Sequence, residues 1–135
     1  MTQTPVPRGL LHHVELWVPD LARAVVEWGW LLGELGYEQF QDWPAGRSWT
    51  QHGTYLVVEQ SKAMTPDRHE RLRPGLNHLA FHAGPRDQLD ELMAQAPQQG
   101  WKPLFGEKYP FAGGPQHYAG YLENSDGFEV ELVAF

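Results

Sequence analysis

A chain of 135 residues, 41% apolar and 20% charged, has the profile of one compact globular unit rather than a disordered segment or two independent domains. Its 10 Lys and Arg against 17 Asp and Glu give a formal net charge of -7 without a basic stripe, which argues against nucleic acid or an anionic membrane surface as partner. The absence of cysteine excludes disulfides, thiolate metal sites and cysteine nucleophiles.

The first residues lack the basic start and apolar run of a signal peptide, and no stretch reaches membrane-spanning length, so the expected setting is soluble and cytoplasmic. Residues 12–18 alternate apolar and polar side chains, as a half-buried strand does. Pro19-Asp20 ends that strand, and Asp20 suits a helix N-cap. Leu21, Val25, Trp28, Leu32 and Leu35 recur at helical spacing, which predicts an amphipathic helix over 21–35 stopped by Gly36. Trp28 and Trp30 stand two apart, so only one of them can face the core. Strands follow at 37–43, 47–52 and 54–60, separated by turns at Pro44-Ala45-Gly46 and His52-Gly53. Residues 61–74 read as a polar linker, and His52 and His69 as surface residues.

The pattern then starts again. A strand at 77–83, a helix over 86–96 stopped by Gly100, and strands at 101–105, 116–123 and 128–135 repeat the first half. The Gly- and Pro-rich segment 108–115 reads as a loop over a cleft. His13 and His78 stand 65 apart, Gly36 and Gly100 64, Tyr37 and Trp101 64, and Glu59 and Glu131 72, the excess matching that loop. The predicted fold class is therefore α+β: two βαβββ modules, about 10–60 and 75–135, in a single domain over 8–135.

In the frame of this repeat, one His opens each module and one Glu lies in the last strand of each: His13, Glu59, His78 and Glu131. Charged side chains inside apolar strands are costly unless exposed, paired or bound to metal. Two imidazoles and two carboxylates on one cleft suit a divalent ion with open positions, and the set fits Zn, Ni, Co, Mn or Fe comparably. Strand alternation puts Trp17 on the face of His13 and His82 on that of His78. With His117 and Tyr118 beside the Gly/Pro loop, they are candidates for a substrate pocket.

The run 13–21, HVELWVPDL, resembles the opening strand and helix cap of the vicinal oxygen chelate superfamily, the glyoxalase, bleomycin-resistance and dioxygenase relatives. Residues 75–81, GLNHLAF, resemble the start of their second module, and 126–132, DGFEVEL, their closing motif. The resemblance implies paired modules whose sheets curl around a metal held by His13, Glu59, His78 and Glu131. It also implies a homodimer, in some members with ligands from both chains, and favours His13 over its neighbour His12 by register. In the lyase branch the metal stabilises an enediolate while a carboxylate moves a proton, and Glu131, then Glu59, is the candidate base.

Four activities come into view. A metal-dependent lyase or isomerase acting on a small carbonyl or hydroxy compound fits the filled ligand set best. An iron dioxygenase needs only two His and one carboxylate, so Glu59 would occupy a position oxygen needs. A binding protein that sequesters an aromatic antibiotic fits the six tryptophans but not the ligand set. A phosphonate-modifying enzyme, or one that uses glutathione, would want an arginine cluster that the sequence does not display near its motifs.

Overall fold

The computed structural model describes residues 5–135. The first module runs β1 (His13–Trp17), α1 (Leu21–Glu34), β2 (Glu38–Trp43), β3 (Gly46–Gln51) and β4 (Thr54–Glu59). After a linker come β5 (His78–Gly84), α2 (Arg86–Gln95), a 3-10 turn (Ala96–Gln99), β6 (Lys102–Leu104), β7 (Ala119–Glu123) and β8 (Glu129–Ala134). Each module is a four-stranded sheet, in the orders β1-β4-β3-β2 and β5-β8-β7-β6. In both, the first strand runs parallel to the last and the other pairs are antiparallel. Two such sheets with their helices make the α+β duplication that the repeat predicts. The sheets are not closed into a barrel.

Local signals explain most element ends. The Asp20 carboxylate accepts the Arg23 backbone N–H at 3.0 Å, capping α1, and Gln60 at the end of β4 accepts the Leu21 N–H at 2.8 Å. The clearest departure is in the second module. The strand expected from 116 begins only at Ala119, because the His117 N–H turns back to the Gly114 carbonyl at 3.2 Å. His69, expected on the surface, is only partly exposed: its ring stacks on Phe128 with centroids 4.2 Å apart, and burial lowers its pKa.

One apolar core serves both modules. Leu16, Leu56 and Val58 of the first sheet and Val130 and Leu132 of the second turn to the same cluster as α1 and α2. Trp28 is fully buried there, edge-on to Trp101 at 5.0 Å and to Phe128 at 6.1 Å, while Trp30 is only partly buried. Polar contacts join α1 to the turn before β8. The Trp101 indole donates to the Glu27 carbonyl at 2.9 Å, and the Glu27 carboxylate, 5% exposed, accepts from the backbone and hydroxyl of Ser125. Arg23 pairs with buried Asp126 of the same turn. The sheet faces opposite this core are left for chemistry.

Gly100 sits at the joint with φ +87°, where a Cβ would lie 2.5 Å from the Glu27 carboxylate. Gly100→Ala is expected to destabilise the protein by about 1–3 kcal/mol in urea unfolding. Gly33→Ala, in α1 with nothing within 4 Å of the added carbon, should instead stabilise it by about 0.5–1 kcal/mol.

Candidate functional site

Parallel pairing of β5 with β8 sets Ala80 opposite Glu131 and His78 opposite Glu129, and β7 sets Tyr121 opposite Glu131. Paired residues share a face, so these side chains all turn away from the core. The Glu131 side chain is 12% exposed and is held between two imidazoles, His78 Nε2 at 3.1 Å and His117 Nε2 at 2.5 Å. Burial pushes the Glu131 carboxyl up, but the hydrogen bond from His117, with help from Tyr121 and His78, outweighs it and leaves the pKa below the ordinary glutamate value. Glu129 is buried too and meets Arg71 of the linker at 3.0 Å, while Arg71 also reaches Glu123 at 3.4 Å.

His117 arrives on the segment between β6 and β7, which lies as a strap across the second module. Its neighbour Tyr118 points elsewhere, donating to Asp90 of α2 at 2.7 Å beneath the Arg86 guanidinium. Tyr109, at the other end of the strap, donates to the same carboxylate oxygen at 2.5 Å. Hydrogen bonds from Tyr109 and Tyr118 hold the Asp90 carboxyl below its ordinary value. The strap folds close at Gly113, where a Cβ would stand 2.7 Å from both the His117 ring and the Tyr121 hydroxyl.

The residues singled out from the sequence therefore divide into groups. His78, Glu131 and His117 come together. Tyr118 anchors the strap. His13 lies on the first sheet, stacked on Tyr55 at 4.7 Å with Nδ1 2.9 Å from that of His12. Glu59 ends β4 opposite Trp17 and Gly46, and Trp17, 44% exposed, donates to Glu15 at 2.7 Å. His82 lines a different cavity, of about 450 Å³, with Glu34, Gln88 and Glu91. Among the described residues no three His, Asp or Glu converge within one chain as metal ligands do; His78, Glu131 and His117 are joined by hydrogen bonds instead.

Three residues of this site carry no mark in the sequence reading. Tyr121 could have been found from its register opposite Glu131, and Asn77 from its place beside His78. Arg71 could not, since it comes from the linker; with Lys108, Asn77, Phe105, Tyr121 and Glu129 it lines a cavity of about 400 Å³ next to Glu131. The cationic groups missing around the sequence motifs are thus supplied by distant segments.

A sequence profile of the glyoxalase/bleomycin resistance protein/dioxygenase superfamily matches residues 12–121. The chain belongs to this superfamily. Among its relatives is the uncharacterized protein YqjT of Bacillus subtilis, 45% identical over 126 residues that span 92% of this chain and 98% of that protein. A structure from Bacillus halodurans, provisionally described as a glyoxalase, is also 45% identical, with a TM-score of 0.90 over 95% of this chain and 97% of its own. A lactoylglutathione lyase of Agrobacterium tumefaciens, 18% identical with a TM-score of 0.65 over 96% of each chain, shares the superfamily fold. No helix among the described residues is long and apolar enough to cross a membrane.

The Asp90 clip gives a pH test. A carboxyl whose folded pKa is depressed adds stability while ionised, and that stability is lost as pH falls through the folded value. The melting-temperature advantage of wild type over Asp90→Asn should be full well above 3.8, the ordinary Asp value, and shrink below it. Identical pH profiles for the two proteins would mean that the clip contributes nothing.

Proposed function

We propose that this protein is a metal-dependent lyase or isomerase of the glyoxalase type, acting on a small carbonyl or hydroxy compound, with Glu131 as the group that moves the proton. The observation that carries this reading is the enclosure of one carboxylate between two imidazoles on the open face of the second sheet. The imidazole of His78 and the carboxylate of Glu131 are nitrogen and oxygen donors of the kinds that suit a divalent transition ion. A divalent ion there would polarise a substrate carbonyl and make the neighbouring C–H more acidic.

The chain's own residues account for the rest. Glu131, with its pKa below the ordinary value, is ionised at neutral pH and ready to accept a proton. His117 and Tyr121 fix the carboxylate by donating to it. Glu59, the second candidate base, ends β4 opposite Trp17, four residues along the ladder from His13, which pairs with Tyr55. Within one chain His13 does not join the Glu131 group, so we assign the site to a homodimer in which His13 on one copy's first sheet faces His78 and Glu131 on the other's second.

A second reading, sequestration of an aromatic ligand, is favoured by the exposure of Trp17, Phe40, Phe105 and Phe111. Metal content separates the two. Untagged wild type should hold about one equivalent of transition metal per chain, and Glu131→Gln and His78→Ala should lose it by roughly 10-fold or more. Folded wild type that stays empty after exposure to Zn, Ni, Co and Mn would overturn the enzyme reading and lead to tryptophan-quenching screens.

The shared site makes a sharper prediction. Unfolding and refolding His13→Ala together with His78→Ala should restore about a quarter of wild-type metal, because half the dimers are mixed and each has one intact site. Sites contained within single chains would restore none.

A further inference from the structure

Positive φ is costly for any residue with a Cβ, and bulky side chains rarely adopt it. Phe105, directly after β6, holds φ 56° and ψ 34° as it enters a 3-10 turn over Gly106–Lys108. The chain reversal alone would favour Gly or Asn there, since both take the left-handed region cheaply. His52, which also has positive φ, is explained by its place with Gly53 in a two-residue hairpin turn. No such pairing explains Phe105. Burial does not either, because the residue is 45% exposed. A large aromatic held open in a disfavoured conformation marks a side chain that is presented to something.

What it faces is the cavity of about 400 Å³ next to Glu131, which Phe105 lines together with Tyr121 and Lys108. The Phe105 and Tyr121 rings meet edge to face, with centroids 5.5 Å apart and planes 83° to one another. Tyr121 in turn donates to Glu131, so one tyrosine joins the aromatic wall to the carboxylate. The charges in the lining are unequal in what they leave free. Arg71 is taken up by Glu123 and Glu129, whereas Lys108 is exposed. The Lys108 backbone N–H donates to the Phe105 carbonyl at 3.0 Å, so a single turn carries both the ring and the ammonium. A cavity of this volume holds a small organic molecule.

We infer that Phe105 is the specificity-determining residue of a ligand subsite in this cavity, which takes the aromatic ring of a small carbonyl compound while Lys108 donates to the oxygens at its other end. An aromatic ring suits the wall because it gains stacking contact with Phe105 beyond the burial that any apolar group would gain. The strained backbone at 105 is then the cost of aiming the ring at the ligand. The subsite stands on Phe105 and the cavity alone; that Glu131 acts on the bound carbonyl rests on the function proposed above.

Two probes with the same oxo-acid end test it: phenylglyoxylate carries a phenyl group where pyruvate carries a methyl, and it has no C–H next to its carbonyl to be deprotonated. Each is titrated into the full chain while backbone amide shifts are followed by NMR. Wild type should bind phenylglyoxylate about 10-fold more tightly than pyruvate, with the largest shifts at residues 105, 108 and 121. In Phe105→Gly the two affinities should become nearly equal, and Phe105→Tyr should keep the preference. Urea unfolding checks the backbone: Phe105→Gly should unfold at a higher urea concentration than Phe105→Ala, which loses the ring but keeps the strain. No ring preference in wild type, a preference that survives in Phe105→Gly, or shifts that map elsewhere would overturn the inference. So would Phe105→Ala outlasting Phe105→Gly in urea. A ring preference that depends on Phe105 in a protein that holds no transition metal would leave the subsite standing and overturn the metal-dependent function.

Discussion

Trp28 closes the seam between the two halves of the chain, its indole edge-on to Trp101 and packed against Phe128, with Glu27 one residue earlier bonded to Ser125. A βαβββ module is a single sheet with one helix, and half of its apolar surface has nothing of its own to lie against. The seam removes that surface from water for both modules at once. Everything that touches Glu131 depends on it, since α1 holds the turn that launches β8. Polar groups at the seam add specificity: Ser125 and Asp126 can meet Glu27 and Arg23 in only one relative position of the modules.

With the core faces committed, the opposite faces carry the residues that a core would reject. Glu129 and Glu131 are both largely buried carboxylates, and each has found partners: Arg71 for the first, two imidazoles and a tyrosine for the second. The strap that brings His117 is secured at both ends by one carboxylate, Asp90, through Tyr109 and Tyr118. The second sheet thus gathers His78 and His117 on Glu131, while His13, Glu59 and Trp17 lie on the first. Membership of the superfamily fixes the architecture, but this fold hosts lyases, dioxygenases and binding proteins alike, so the function has to be argued from these side chains.

What is local or periodic was legible in the residues alone. Alternation put His13, Glu15 and Trp17 on one face and His78 and Ala80 on another, and the Asp20 cap, the Gly36 stop and the spacing of the repeat defined two similar modules. Helical spacing showed that Trp28 and Trp30 could not both be buried, though not which of them would be. Which segments meet was settled by the packing of the modules. His117 joins Glu131 because the strap turns back at Gly114, whereas the residue pattern over 116–123 reads as continuous strand. Arg71 reaches Glu123 and Glu129 from a linker that looks featureless, and the partly exposed His69 stacks on Phe128. His82, on the alternation that places His78, lines another cavity farther along β5, beside Gln88 and Glu91 of α2. Periodicity is a property of neighbours in the chain and fixes the face a side chain takes. Which loop covers that face depends on how the modules pack, and that information is spread over contacts more than 50 residues apart.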